Sequence, residues 1–550
     1  MLLQTSKAQK SADNKYVSDG GSIVGLIASA ASGLAARVEA RYTLVSSDSQ
    51  DGSKPGVIFI VGSGNNGNDG LSAAAMLARK GIGVKIFKPD SFKKANDAVT
   101  AALEADLSSL GIEVLTLSEE AMFQNDFAGM VRESACVVDC VFGTGYDPGR
   151  EPPSVVKKLI DIVNANSPCT ISADIPSGVS ADTGECGVPS IKANETVTFG
   201  APKPGQYILP GKAHTGLLTV SPILIKDGLT GTDAPVCLTR SDAKYVFSLL
   251  PKRDPYGSKY SHGRVLVIAG SRQFAGAAVL AVSSALRGGA GLVTSAVPGS
   301  IVSDVTAACP EAVRLPLGGT TVSTLGPKHL DMLLDAAKIA DAVVIGPGLG
   351  RTPGTVKTVI DFLKNNSCRK LVIDADALFA LAVYSSLSSG DSGNVFALKY
   401  AKFFTAKELS VSFESKFSDK EVILTPHAGE AARLLGLPSA EIDLKRLYYA
   451  KEISRKYSAV ALLKGNDTLI CAPSGAYTVN SVGNTALSKG GSGDVLAGLI
   501  GSLLGSGMNA YDAARAGAFI HGAAAEILSE EMTERCVLPG DLPLAFRKLM

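Results

Sequence analysis

Short apolar runs alternate with glycine loops and helical stretches along most of the chain. From residue 57 the order is an apolar run, VIFIV, a glycine loop, GSGNNGNDG, a helical stretch, LSAAAMLARKG, and a second apolar run, VKIF. Short apolar runs that end in glycine are typical of strands buried in a parallel sheet, and the stretch between them suits a crossover helix. The pattern predicts a βαβ unit here and an α/β fold overall.

A second series of the same kind begins with RVLVIAGS at residues 264–271 and continues through DAVVIGPGLG, KLVIDADAL, VILTPHAGE and AVALLKGND. Between the two series, residues 227–240 combine turn formers with low hydrophobicity, which favours a domain boundary there. A chain of 550 residues is also longer than one hydrophobic core usually grows. We therefore predict two α/β domains, over residues 1–230 and 241–550.

Two other stretches stand out. Residues 385–420 are rich in Ser and Lys and are predicted to be a surface excursion rather than core. The small-residue run at residues 21–36 is too short to span a bilayer and is predicted to be a buried helix of a soluble protein.

Charge and cysteine content narrow the class of protein. Lys plus Arg number 53 against 52 Asp plus Glu, which gives a net charge of +1. A net charge this small does not indicate a nucleic-acid or membrane partner. The nine cysteines show neither CxxC pairs nor a regular spacing, which favours a reducing compartment and a cytoplasmic location.

The N-terminal glycine loop has more than one interpretation. The GxGxxG pattern at residues 62–67 follows a strand and precedes a helix, and Asp90 lies at the distance expected for a ribose contact, so a Rossmann dehydrogenase is one possibility. However, Asn65, Asn66 and Asp69 bring amides and a carboxylate into the loop, and a carboxylate beside phosphate is costly without a partner. Asp69 could instead cap the following helix.

Acidic residues recur at two further strand ends. Asp139 precedes FGTG at residues 142–145, and Asp174 begins DIPSG, which contains Ser177. Because parallel strands end at the same edge of a sheet, these residues are predicted to share one pocket.

In this order, GNNGNDG, VDCVFGTG, DIPSG and FGAPKPG resemble the epimerase domain of the NAD(P)H-hydrate repair enzymes, a Rossmann-like three-layer domain. The resemblance implies an acid/base role for Asp174 and a K⁺ ion near Asn66, Asp139 and Ser177. The substrate contacts that it implies are Asn65, Asn66, Gly67, Asn68, Asp69, Gly143, Thr144, Gly145 and Asp174. Two positions depart from the family pattern: Asn68 stands where the family has glycine, and Ala28 where it has an acid. A non-catalytic binding module is the alternative for this half, and the presence of Asp174 argues against it.

The C-terminal half contains a second glycine loop, in KGGSGDVLAGLIGSLLGSG from Lys489. Its bare backbone before an apolar helix is suited to binding a phosphate group, and Asp494 stands where it could accept a proton from a hydroxyl about to be phosphorylated. Upstream, Lys464 and Gly465 offer a cation and an open backbone after a strand. The alternatives are that Gly493 and Asp494 form a cap and tight turn, and that Lys464 is an ordinary solvated lysine.

The GxGD pattern resembles the ribokinase-like fold. HGRVLVIAGS, FAGAAVLAVSSALRGGAGLVT, VVIGPGLGR, VIDADAL, LTPHAGEAARLLG and NTALSKGGSGD follow in order the pattern of the NAD(P)H-hydrate dehydratases. The resemblance implies that the hydrated cofactor contacts Ala277, Gly348, His427 and Asp494. It implies a nucleotide held by Lys464, Gly465, Asn466, Asp467, Thr468 and Gly493. His427 could also be only a hydrogen-bonded turn residue.

Together these resemblances imply a repair enzyme for hydrated NADH and NADPH. One half would interconvert the R and S hydrates, and the other would dehydrate the S hydrate with ADP or ATP and Mg²⁺, with Asp494 as base and Asp174 as the acid/base of the epimerase. A homo-oligomer is left open. The alternatives are a ribokinase-like small-molecule kinase with a non-catalytic N-terminal domain, a Rossmann dehydrogenase and a binding scaffold.

Overall fold

The computed structural model describes residues 1–48, 55–92, 98–225, 234–390 and 395–550. The chain divides into two compact units, residues 2–236 and residues 237–550 together with Met1. Each unit is built on its own largely parallel sheet with helices on its faces, so the predicted fold class, a Rossmann-like three-layer domain followed by a ribokinase-like α/β domain, is confirmed. Residues 226–233, which overlap the predicted boundary segment at 227–240, lie outside the described residues.

The N-terminal unit contains a parallel seven-stranded sheet of order β3-β2-β1-β4-β5-β6-β7. Its strands are β1 (Val57–Val61), β2 (Val84–Pro89), β3 (Val114–Leu117), β4 (Cys136–Cys140), β5 (Thr170–Ala173), β6 (Glu195–Phe199) and β7 (Leu217–Ser221). Its helices are α1 (Ser6–Ser18), α2 (Ile23–Asp48), α3 (Asn65–Arg79), α4 (Ala98–Ser109), α5 (Glu119–Gln124), α6 (Phe127–Glu133), α7 (Ser154–Asn166) and α8 (Gly211–Thr215).

Strand β1 is buried on both faces, as its unbroken apolar run predicts. Phe59 on one face packs in a core with α2 and α3, and Ile60 on the other face packs in a core with α6 and α7. Helix α2 is long and apolar enough to span a membrane by composition alone. In the structure its residues Leu34 and Val38 are fully buried against the sheet, which gives the helix a core role.

The C-terminal unit contains a ten-stranded sheet of order β11-β10-β9-β12-β13-β14-β15-β16-β17-β8, parallel from β11 to β15 and antiparallel between β15, β16 and β17. Its strands are β8 (Val236–Leu238), β9 (Arg264–Ile268), β10 (Leu292–Pro298), β11 (Val313–Leu317), β12 (Ala342–Ile345), β13 (Lys370–Ile373), β14 (Glu421–Leu424), β15 (Val460–Leu463), β16 (Thr468–Cys471) and β17 (Tyr477–Asn480).

The helices of this unit pack against the sheet. They are α9 (Ala243–Ser248), α10 (Ala275–Arg287), α11 (Val302–Ala308), α12 (Leu330–Lys338), α13 (Pro353–Asn365), α14 (Ala375–Ser388), α15 (Val395–Leu398), α16 (Ala406–Leu409), α17 (Phe413–Phe417), α18 (Ala428–Leu435), α19 (Ser439–Leu444), α20 (Arg446–Tyr457), α21 (Ser492–Gly505), α22 (Ala510–Glu531) and α23 (Leu542–Ala545).

The prediction that residues 385–420 are only a surface excursion is wrong for several of their aromatic residues. Tyr400, Phe413 and Phe417 are buried, and Phe413 packs edge-on against Tyr384 of α14 with ring centroids 5.1 Å apart. The segment is predicted to be exposed because Ser and Lys dominate its composition. Its few aromatic side chains nevertheless bury large apolar areas. Residues 391–394 of this segment lie outside the described residues.

Both sheets reverse their strand order at one point, between β1 and β4 in the first unit and between β9 and β12 in the second. In open α/β sheets ligands gather at the carboxyl ends of strands beside such a switch point. The loops after β1 and β4, and those after β9 and β12, are therefore where a site is expected.

Candidate active sites

A cavity of about 1170 Å³ opens at the carboxyl ends of β1, β4 and β5 in the N-terminal unit. It is bounded by the glycine loop, by the loop after β4, and by helix α1. The predicted site residues that line it are Asn65, Asn66, Asp69, Gly143, Thr144, Gly145 and Asp174. The structure thus brings the strand-end motifs together in one pocket.

Two residues of the glycine loop that are predicted to contact substrate, Gly67 and Asn68, have no side chain free to do so. A Cβ atom at Gly67 would lie 2.2 Å from the carbonyl oxygen of Gly62, so only glycine allows the tight turn that starts α3. The Asn68 side chain is buried and accepts a 2.8 Å hydrogen bond from the Thr100 hydroxyl of α4. A substrate contact at either position would therefore come from the main chain.

The three residues predicted to hold K⁺ converge behind this cavity. The buried Asp139 carboxylate accepts hydrogen bonds from the Ser177 hydroxyl at 2.5 Å and the Ser177 main-chain N–H at 2.8 Å. The Asn66 amide nitrogen donates to the carbonyl of Phe142, which leaves Asn66 Oδ1 buried and without a hydrogen-bond partner among the described residues. The Phe142 main-chain N–H in turn donates a 2.9 Å hydrogen bond to the Ser177 hydroxyl, so Phe142 links Asn66 to the Ser177–Asp139 pair. An amide oxygen, a hydroxyl and a carboxylate are the kinds of ligand that suit a hard cation.

Asp174 lies at the end of β5 in a left-handed conformation, with φ of 62°. Its carboxylate accepts hydrogen bonds from the Thr198 hydroxyl at 3.0 Å and the Phe199 main-chain N–H at 3.1 Å, and it forms a salt bridge with Lys203. Lys203 is fully buried. Sequence reasoning quoted the FGAPKPG motif that contains this lysine but assigned the residue no role.

Burial raises the pKa of two further carboxyl groups that line the cavity. The pKa of Asp69 is well above its usual range because the residue is desolvated and faces the charges of Asp174 and Asp13. The pKa of Asp13 on α1 is raised by burial and by Asp174. Sequence reasoning missed Asp13, because nothing in the first residues of the chain signals that α1 forms a wall of the cavity.

The second site lies at the start of α21. Burial and the neighbouring charge of Asp374 raise the pKa of Asp494 to about 7. The Lys464 amine forms a 3.0 Å salt bridge with the almost fully buried Asp374, which also accepts a hydrogen bond from the Thr425 hydroxyl. Burial lowers the pKa of Lys464, but the charges of Asp374 and Glu430 outweigh this effect and raise the pKa overall. Sequence reasoning did not single out Asp374, although the motif VIDADAL indicates a polar strand end.

His427 and Lys464 lie side by side, because the Lys464 N–H donates a 2.8 Å hydrogen bond to the carbonyl of Pro426. His427 caps α18 by accepting a hydrogen bond from the Gly429 N–H, while Glu430 accepts one from the His427 N–H. Burial lowers the pKa of the His427 imidazole, which favours its neutral form. The turn role and the substrate role considered for this residue are compatible.

The predicted nucleotide loop from Lys464 to Thr468 wraps around a buried arginine. Arg446 donates to the carbonyls of Lys464 and Asp467 at 3.3 and 3.2 Å and forms a 3.1 Å salt bridge with the Asp467 carboxylate. Because the Asp467 side chain is fully buried, a nucleotide contact at that position would be made by the main chain. Asn466 and Gly465 are exposed.

Ala277 and Gly348 are neighbours, since a Cβ atom at Gly348 would lie 2.7 Å from that of Ala277. The adjoining loop is held by Asp376, which accepts a 2.8 Å hydrogen bond from the Gly350 N–H and a 2.7 Å one from Arg351. Asp376 also raises the pKa of Asp494, so its charge acts on that carboxyl group as well. The predicted substrate residues and the predicted base are thus grouped at one end of the sheet.

Two family models match the chain. The model described as NAD(P)H-hydrate dehydratase matches residues 265–396 and 404–545, and the model described as YjeF-related protein N-terminus matches residues 24–205. They cover the dehydratase-like and epimerase-like motifs, respectively.

Curated relatives match over most of their length. The bifunctional NAD(P)H-hydrate repair enzyme of Moorella thermoacetica is 37% identical over 491 residues, which cover 88% of this chain and 86% of the relative. The enzymes of the same name from Escherichia coli and Salinibacter ruber are each 32% identical, over 88% and 94% of this chain and 83% and 90% of their own.

A solved structure of similar sequence is the ADP/ATP-dependent NAD(P)H-hydrate dehydratase from Bacillus subtilis co-crystallized with ATP/Mg²⁺. It is 28% identical, with a TM-score of 0.45, and covers 58% of this chain and 98% of its own.

Proposed function

Because the chain belongs to the family of bifunctional NAD(P)H-hydrate repair enzymes, we propose that it returns hydrated NADH and NADPH to their reduced forms. The N-terminal unit interconverts the R and S hydrates, and the C-terminal unit dehydrates the S hydrate at the expense of ADP or ATP. The observation that carries the proposal is Asp494, a carboxyl group with a pKa of about 7 at the start of a glycine-loop helix.

Dehydration requires a better leaving group than hydroxide. Asp494 takes the proton of the substrate hydroxyl, whose oxygen then attacks the terminal phosphorus of the nucleotide while the bridging P–O bond breaks. The carbon–oxygen bond next breaks with its electron pair leaving on phosphate. The adjacent ring carbon then gives a proton to water, and the electron pair of that carbon–hydrogen bond restores the double bond. A base with a pKa near the working pH is suited to the first step.

The nucleotide phosphates are proposed to lie against the N-terminus of α21, where Gly493 leaves main-chain N–H groups open and the helix dipole favours negative charge. Lys464 supplies a cation, and Arg446 holds the carbonyls of the Lys464–Thr468 loop in place. Among the described residues no three His, Cys, Asp or Glu side chains are grouped as a metal site. Mg²⁺ is commonly held by one or two carboxylates and substrate phosphates, and the carboxylates whose charges act on Asp494, which are Asp374, Asp376 and Glu430, would supply such ligands.

In the N-terminal unit, Asp174 is proposed to act as an acid/base in the exchange of the two hydrates, while Lys203 and Thr198 fix its carboxylate. Asn66, Asp139 and Ser177 would hold K⁺, which would neutralise the buried Asp139 charge and order the loop after β4. The buried Asn66 Oδ1 without a partner among the described residues supports this assignment.

One assay tests the proposal against its rivals. The full chain is incubated with hydrated NADH and either ADP or ATP, and the absorbance of regenerated NADH is followed. We expect regeneration from both hydrates with nucleotide present, because one half supplies the other with S hydrate. A phosphorylated product without NADH would indicate a plain kinase, and no reaction would indicate a binding scaffold.

We also propose a cytoplasmic location for this activity. All nine cysteines are free, and eight of them are buried or partly buried. Fractionation that found the chain in an oxidising compartment would contradict this location.

A further inference from the structure

Helix α1 forms one wall of the N-terminal cavity with a continuous face. The residues of α1 that line the cavity recur at helical spacing, and they are Ser6, Lys7, Gln9, Lys10, Asp13, Asn14 and Val17. The start of the helix is fixed, because the Ser6 N–H donates a 2.7 Å hydrogen bond to Asp182 and the Gln4 N–H donates a 2.8 Å bond to the carbonyl of Pro202. Asp13 lies about two helical turns after Ser6, so the fixed start of the helix also holds Asp13 in the cavity wall.

Asp13 faces two other carboxyl groups across this cavity, Asp69 of α3 and Asp174 at the end of β5. Asp174 is paired with Lys203, whereas no hydrogen bond to the Asp13 carboxyl group is found among the described residues. Burial and the charge of Asp174 raise the pKa of Asp13, against a smaller lowering by Lys203. The other charged groups around the cavity are Lys7, Lys10, Asp147, Arg150 and Glu151.

Resting on the proposed epimerase activity, we propose that Asp13 is a second catalytic residue of the epimerase and gives a proton to the substrate while Asp174 receives one. An acid/base exchange requires one group that gives a proton and one that receives it. Asp174 is a salt-bridged carboxylate, and Asp13 is a cavity-wall carboxyl group whose pKa is raised by burial and by the charge of Asp174.

The proposed step balances without any other reactant. The hydroxyl-bearing carbon of the hydrate is bonded to the ring nitrogen. The Asp13 proton passes to the hydroxyl oxygen, the carbon–oxygen electron pair leaves with the resulting water, and the nitrogen lone pair completes a C=N⁺ bond. Water then adds to the opposite face, the C=N⁺ pair returns to nitrogen, and a water proton passes to Asp174. A proton relayed from Asp174 to Asp13 through solvent restores the site, and nothing is oxidised or reduced.

Asp69 is the competing candidate for the acid, since its pKa is also raised. Asp69 is only 8% exposed, whereas Asp13 is partly exposed to solvent. An acid that must be reprotonated in every cycle needs access to solvent, which favours Asp13.

The test compares Asp13→Asn with two matched variants in the full chain. Asp19→Asn makes the same change on an exposed residue just after α1, and Asp69→Asn makes it on the competing acid. Interconversion of the separated hydrates is measured from pH 5 to 9 above the rate without enzyme, in ordinary water and in H₂¹⁸O, and each variant's melting temperature is recorded. We expect Asp13→Asn to lower exchange by about 10²- to 10⁴-fold with little change in KM, and to remove the fall in rate at high pH.

Asp19→Asn should match the wild type, and inverted hydrate from the wild type should carry solvent oxygen. Wild-type exchange in Asp13→Asn, a reduced rate with an unaltered pH profile, or loss of the high-pH fall only in Asp69→Asn would overturn the role of Asp13. Inversion without ¹⁸O uptake would overturn the step. A wild-type chain that fails to interconvert the hydrates would overturn the proposed function itself.

Discussion

At the scale of single residues, the two aspartates singled out from the sequence have opposite surroundings. Asp494 is desolvated beside Asp374, which raises its pKa to about 7, whereas Asp174 is fixed by a lysine, a hydroxyl and a main-chain N–H. The first arrangement tunes the affinity of a base for its proton, and the second fixes the position of a carboxylate. Substitution should therefore have different consequences at the two residues.

Asp494→Asn removes the proposed base but keeps the side-chain size. We expect turnover of the S hydrate to fall by about 10²- to 10⁴-fold, because positioned general bases contribute that much. Nucleotide affinity should change little. If Asp494 served only as a helix cap, the variant would instead lose about 1 kcal/mol of stability or less and keep its turnover. Turnover, nucleotide Kd and melting temperature measured on one preparation separate these outcomes.

The pKa of about 7 at Asp494 predicts a pH dependence for the dehydratase. A base must be ionised, so turnover at saturating substrate should rise with pH up to about 7 and then level off. Asp374→Asn removes the charge that most raises this pKa, and the rise should move to lower pH. Asp376→Asn, whose charge has a smaller effect, should move it less. Identical pH profiles in all three proteins would contradict this account.

Asp174→Asn tests the epimerase half in the same chain. Asparagine tolerates the left-handed conformation at this position, so the backbone should persist. Exchange between the hydrates should be lost, while dehydration of pure S hydrate should continue. Leaving the buried Lys203 unpaired should destabilise the N-terminal unit by about 3–5 kcal/mol, measurable by denaturant unfolding. Undiminished exchange in a folded variant would remove Asp174 from the mechanism.

At the scale of elements, the site residues at the ends of strands belong to recognisable sequence motifs. Other residues that surround the sites have roles that these motifs do not indicate. The motifs after β1, β4 and β5 could be predicted because apolar runs ending in glycine and acid identify the carboxyl edge of a parallel sheet. Asp13, Lys203 and Arg446 could not, because their roles depend on contacts between segments distant in sequence. The family membership predicted from the motifs is confirmed.

The helices within residues 385–420 illustrate the limits of composition in predicting burial. Phe417→Ala should destabilise the C-terminal unit by about 3–5 kcal/mol, because Phe417 is fully buried and its removal leaves a cavity. Phe403→Ala is the matched control, since that ring is 36% exposed, and it should cost about 0.5 kcal/mol or less. Denaturant unfolding measures both. Equal, small effects would mean that this segment is not packed as the structure has it.

At the scale of the whole molecule, the two compact units each carry a sheet, a core and one of the two sites. This division explains how one chain combines an isomerase and a lyase, since neither set of proposed site residues includes a residue of the other unit. It also indicates that the C-terminal unit should act alone. The structure refines where such a fragment should begin.

A fragment of residues 234–550 should fold and dehydrate the S hydrate but not interconvert the hydrates. A fragment of residues 241–550 omits β8, whose Leu238 is fully buried and accepts a 3.0 Å hydrogen bond from the Ser481 N–H. Loss of one buried leucine typically costs about 2–5 kcal/mol, so the shorter fragment should unfold at lower urea with similar turnover while folded. Urea unfolding and NADH regeneration on both fragments test this. If the longer fragment is folded but inactive while the full chain is active, the dehydratase depends on the N-terminal unit and the two sites are not independent.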